Sequence, residues 1–105
     1  MKLTTGRAII LMCIFCIVPL MGQKENFKPK DGYVPNQETA KRIAEAVWIP
    51  IYGEKEIQSE KPFSAILKNG IWTISGHLPE GYDGGVAVID ISKDDGKIFR
   101  VSHGK

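Results

Sequence analysis

Cysteine is almost missing from this 105-residue chain. The only two, Cys13 and Cys16, fall in an apolar, charge-free run over residues 8–21. From Gly22 onward there is none, which excludes disulfides, thiol catalysis and cysteine-ligated metal from any domain that follows. A membrane-length hydrophobic run is missing too. The 14 residues of that stretch fall short of the ~20 that a spanning helix needs. Lys2 and Arg7 precede it and the small Gly22 follows it. That order reads as a secretory signal peptide over residues 1–22, with Gln23 as the first mature residue. Leu20 stands where a cleavage site favours a small residue. Bulky Met12 and Phe15 precede the two cysteines, so lipidation is not expected. The expected destination is the periplasm or the exterior of a bacterium, with the membrane involved only through the export signal.

An excess of one charge is also lacking. The chain carries 14 basic and 12 acidic residues. Without Lys2 and Arg7 the basic count falls to 12, equal to the acidic one. A nucleic-acid footprint needs a basic face, and none is visible. Catalytic constellations are equally scarce. The serines have no base near them in sequence, and the two histidines stand far apart. His77 falls on the outer face of an expected sheet and His103 on its core face; each reads as structural or solvated. Glu54, Glu56, Glu60 and Glu80 are not paired by any periodicity and read as solvated. The glycine-rich GYDGG of residues 81–85 precedes a strand and lacks the Lys-Ser/Thr of a phosphate loop, so it reads as a turn. DISKDDG, residues 90–96, departs from a calcium loop: its glycine is one position late and Val101 stands at the twelfth position. No catalytic residue, cofactor or metal is expected, and the chain does not read as an enzyme.

What is present is fold information. Residues 23–35 are polar, hold two prolines and read as a tether or extended arm. Asn36 is a natural N-cap. Apolar residues then recur at Ala40, Ile43, Ala44, Val47, Trp48 and Ile51, one stripe on a helix. Pro50 lies inside that pattern, yet Ile51 stays in phase. The expectation is a helix that kinks at Pro50 and ends near Gly53, followed by a charged connection.

From Pro62 the period becomes two. FSAILK and IWTISGHL flank Asn69-Gly70, a strong hairpin signal. A two-residue loop pairs Lys68 with Ile71, Leu67 with Trp72 and Ala65 with Ile74. Phe63, Ala65, Leu67, Trp72, Ile74 and Leu78 then share one face. A second hairpin joins VAVIDIS to IFRVSH. A three-residue loop, Asp94-Asp95-Gly96, pairs Lys93 with Lys97, Ile91 with Phe99, Asp90 with Arg100 and Ile89 with Val101. The expected domain, residues 36–105, is α+β: one N-terminal helix across the apolar face of a four-stranded antiparallel sheet.

The outer face of that sheet is the candidate binding surface. Ile66, Ile71, Val88 and Ile98 point away from the helix there, together with Lys68, Thr73, His77 and Arg100. Four aliphatics on an exposed face suit a protein partner or a second copy of the chain; scattered single apolar residues are the plainer reading.

Seven short motifs recur in an order that resembles one family. They are PIYG from Pro50, KPF from Lys61, GIW from Gly70, GHLP from Gly76, GGVA from Gly84, DGKI from Asp95 and SHGK from Ser102. In this order they resemble small bacterial immunity proteins with a nuclear transport factor 2-like fold, and the match covers residues 33–105. The resemblance implies a cystatin-like or nuclear transport factor 2-like fold, in which a helix is cupped by a curved sheet. Pro50 would then bend the helix to follow the curve. It implies a cognate protein toxin of a polymorphic toxin system as the partner, neutralised by binding through complementary shape and charge. It assigns no toxin-contacting residues. A cell-envelope binding module or cystatin-like peptidase inhibitor is the alternative use of such a fold, and an enzyme for small lipophilic substrates a further one; fold alone does not choose among them. Larger members of the fold have more helices and an enclosed pocket, so a buried ligand cavity is not expected here.

Overall fold

The computed structural model describes residues 26–104. The signal-peptide reading of residues 1–22 and the start of the arm lie outside them. Two helices, α1 (Gln37–Tyr52) and α2 (Glu54–Ser59), precede four strands: β1 (Ser64–Lys68), β2 (Ile71–Ser75), β3 (Ala87–Ser92) and β4 (Ile98–His103). The strands form an open antiparallel meander in the order β1-β2-β3-β4, and α1 packs across β1, β2 and β3.

Helix α1 starts where its cap chemistry places it. The Asn36 side-chain oxygen accepts from the Thr39 N–H at 2.9 Å, satisfying a donor that the first turn leaves free. Ala40, Ala44 and Trp48 are its fully buried stripe. The helix passes through the exposed Pro50 and closes at Gly53, whose N–H donates to the Ile49 carbonyl at 2.8 Å. Gly53 adopts φ 94°, a conformation costly for any residue with a Cβ. The chain does not then continue as a connection. EKEIQS forms α2, with Ile57 fully buried. The sequence expectation of a single helix missed it because six residues are too few to display a 3.6-residue period.

The first hairpin has the expected register, with Lys68 opposite Ile71, Leu67 opposite Trp72 and Ala65 opposite Ile74. Asn69 and Gly70 both take positive φ, 52° and 75°, as a turn matching the strand twist requires. The second hairpin corrects the expectation. Ile89 pairs with Val101 and Asp90 with Arg100, but Ile91 pairs with Ile98 across a bulge. The Asp95 carboxylate accepts from the Lys97 N–H at 2.9 Å, and the Ser92 N–H donates to the Lys97 carbonyl at 2.8 Å. The turn therefore closes between Ser92 and Lys97, not between Lys93 and Lys97. Phe99 is the extra residue that restores the register at Arg100.

The core lies between α1 and the middle of the sheet. Trp48, Ile57, Ile74, Ala87, Ile89 and Ile91 are wholly buried, and Trp48 meets Phe63 edge-on with ring centroids 5.1 Å apart. A single helix ~10 Å wide cannot cover four strands spaced ~4.8 Å apart. Leu67 on the edge strand β1 is therefore 42% exposed, and Phe99, the bulged residue of β4, is 53% exposed, although both were expected in the core.

The arm is docked over its second half. Tyr33 and Val34 donate their N–H groups to the Asp94 and Lys93 carbonyls at 2.9 and 3.0 Å. The Trp72 indole N–H donates to the Val34 carbonyl at 2.8 Å, and the Val34 side chain is buried. Lys28 pairs with Asp94, and the Lys93 ammonium donates to the Asp31 carbonyl.

Candidate functional site

Two places on the domain carry chemistry. The first lies at the end of the sheet away from the hairpin turns and was not legible in the sequence. Glu60 follows α2 three residues after the buried Ile57, so both sit on the inward side of the helix. The result is a carboxylate only 3% exposed. One of its oxygens accepts from the Ala87 N–H at 2.7 Å. The other lies 2.7 Å from His103 Nε2. The Glu60 carbonyl accepts from the His77 N–H at 2.6 Å. Gly76 packs so closely that a Cβ there would collide with the carboxylate. One turn earlier on α2, the exposed Glu56 brings its own carboxylate to 3.7 Å from His103 Nε2. The Tyr52 ring stands beside the imidazole, with centroids 5.0 Å apart.

The two carboxylates behave differently. Burial alone would raise the Glu60 pKa, but the Ala87 N–H, His103 and Glu56 together outweigh it and hold the carboxyl below its ordinary value. Glu56 is held above its ordinary value, chiefly by its contact with Glu60, with desolvation and repulsion from Glu60 adding. Contact between the two therefore shifts Glu60 toward its charged form and Glu56 toward its neutral one. These side chains border a cleft of about 380 Å³ with Leu78, Pro79, Tyr82 and the glycines at 84 and 85. The sequence reading held Glu56 and Glu60 to be solvated and His103 to be without partners. The structure corrects this for Glu60, which is buried, and for His103, which meets it; Glu56 is exposed, as expected. His103 does fall on the core face, opposite Ala87, but its partners lie more than forty residues away, on a helix the periodicity did not reveal. The one available signal was the spacing of Ile57, Glu60 and Glu56 on a short helix.

The second place is the outer sheet face. Ile66 pairs with Thr73, Thr73 with Asp90 and Asp90 with Arg100, so these four form one row across the sheet. Thr73 Oγ1 donates to Asp90 at 2.7 Å and Arg100 Nε donates to its other oxygen at 2.8 Å. Arg100 first, and then Thr73, lowers the Asp90 pKa against the opposing effect of burial. Ile66, 65% exposed, stands at the free end of the row. Lys68 and Ile71 form the next row, opposite Ser92. Val88 lies on the other side of the polar row, between Ser75 and Ser102. Two expected members are placed elsewhere. His77 follows the end of β2 in an exposed loop. The bulge sets Ile98 opposite the core residue Ile91, which takes it out of the outer rows. The face is thus a polar centre flanked by aliphatics, not one apolar patch.

A family model described as NTF2 fold immunity protein matches residues 39–105. The chain belongs to this family. Membership accords with the helix on an open four-stranded sheet. Among curated proteins, this NTF2 fold immunity protein is 33% identical over 73 residues to the "Uncharacterized protein YhhH" of Escherichia coli (strain K12). The alignment takes in 69% of this chain but only 58% of that relative's length. No solved structure matches the chain.

Proposed function

We propose that this immunity protein is exported and neutralises a bacterial toxin domain by stoichiometric binding through the outer face of its sheet. The family match over residues 39–105 carries the reading. The composition of the outer face supports it. Exposed Ile66 beside Ile71 offers a small apolar anchor, and the Asp90–Arg100 row offers ordered charge next to it. Interfaces gain affinity from such desolvated anchors and partner choice from the flanking charges. Neutralisation by occupying the toxin needs no reacting group on the outer face.

The test is co-purification from the native host. Protein from cells expressing the full chain is expected to hold one stoichiometric partner whose isolated domain is toxic, with the toxicity abolished by co-expression. The double substitution I66D/I71D is expected to break that complex and restore toxicity while leaving thermal unfolding unchanged. An intact complex in the double variant would move the interface elsewhere, and recovery of peptidases alone would replace the toxin reading with an inhibitor one. Export is checked on the same sample: a mature mass beginning at Gln23 and recovery outside the cytoplasm are expected. Cytoplasmic protein that keeps residues 1–22 would refute it.

A further inference from the structure

We infer that Glu56, Glu60 and His103 form a binding site for one first-row divalent cation of the zinc type. Two elements distant in sequence deliver the donors, the carboxylates from α2 and its cap and the imidazole from β4. One donor atom from each residue lies within 4.8 Å of the other two. Donors around a tetrahedral ion with bonds of ~2.0–2.1 Å sit roughly 3.3 Å apart. Two small movements produce that spacing. Glu56 is on the surface and swings inward, and the 2.7 Å contact between Glu60 and His103 opens slightly.

The site has the outer support that metal ligands need. The Ala87 N–H holds one Glu60 oxygen and leaves the other directed at His103. The bare backbone of Gly76 fits against the carboxylate where any side chain would displace it. Such fixing by a neighbouring amide is how a ligating carboxylate keeps its orientation. The charge is also unbalanced. Two carboxylates face one imidazole that is neutral when it ligates, and a dication neutralises them. One nitrogen and two oxygens suit zinc and its neighbours. Calcium takes six to eight oxygens, more than these residues supply. All three residues line the cleft beside Tyr82, which has room for water or for a group of a bound partner.

Calorimetric titration with zinc sulfate tests the site, on protein purified from cells expressing the full chain and stripped with chelator. One saturable equivalent is expected, together with a thermal midpoint that rises with free zinc, since a ligand that binds only the folded state stabilises it. Glu56→Gln alters an exposed residue and is expected to keep the metal-free midpoint while losing zinc affinity by at least about tenfold. Absence of a saturable zinc isotherm in the parent protein would overturn the inference. So would a Glu56→Gln variant that binds zinc as the parent does, or displacement of zinc by an equal concentration of magnesium or calcium.

Discussion

The two ends of the sheet are closed by opposite means. At the turn end the arm lies over the hairpins. It buries Val34, donates two backbone N–H groups to residues 93 and 94 and receives the Trp72 indole. At the other end α2 inserts Glu60 between Ala87, Gly76 and His103. The first closure is apolar packing with backbone hydrogen bonds and exposed charged contacts at Lys28 and Lys93, where each contact adds a modest, separable amount. The second buries an ionised carboxylate, which is costly unless every lone pair is engaged. An apolar latch can therefore be weakened by degrees, whereas a charged one fails when a single partner is lost.

Substitution at Glu60 should separate the two most sharply. Glu60→Ala leaves the Ala87 N–H without its acceptor and opens a hole at the sheet end. A loss of about 3 kcal/mol is expected in urea unfolding; a loss under about 1 kcal/mol would show that the charged latch contributes little. Val34→Ala at the other end removes two buried methyl groups and is expected to cost about 2 kcal/mol, with amide exchange speeding up at Tyr33 and Val34 before the sheet itself opens. Trp72→Phe keeps most of the ring but removes the donor to the Val34 carbonyl. It should cost about 1 kcal/mol and act non-additively with Val34→Ala, because the two residues share that contact.

The smallest effect is expected where the charge is partly open to water, at Asp90 and Arg100 on the outer face. The Asp90 pKa is lowered in the folded state, chiefly by the Arg100 contact. Its contribution is therefore fully present above the ordinary carboxylate range and is lost as the pH falls through the lowered folded value. Asp90→Asn should flatten the stability profile below about pH 4 and lower stability only slightly in the neutral region, since half-exposed pairs are screened. A large loss at neutral pH would show that the outer row is as critical as the Glu60 latch.

The elements with an unambiguous local period were readable in advance. The α1 stripe from Ala40 to Trp48, the Asn36 cap, the Gly53 stop and the whole register of the first hairpin follow from spacing and from Asn69-Gly70; Ile51, expected on the stripe, is exposed. The second hairpin was half readable. Its central pairs Asp90–Arg100 and Ile89–Val101 hold, but the choice of turn did not follow from composition. The Asp95 side chain competes for the Lys97 N–H and lengthens the loop by one residue, and the bulge at Phe99 absorbs the difference. That shift exposes Phe99 and removes Ile98 from the outer face, a consequence no alternation pattern carries.

Alternation and helical spacing are properties of neighbouring residues, so the sequence by itself determined the long helix, the order of the four strands, the apolar faces and most of the strand pairing. The meeting of Glu60 with His103 depends on α2 folding back under the sheet and on Gly76 leaving room for a carboxylate. Only the tertiary structure decided it, because whether a glutamate is solvated or buried and paired is set by what surrounds it in space, and forty-three residues of chain separate these two partners.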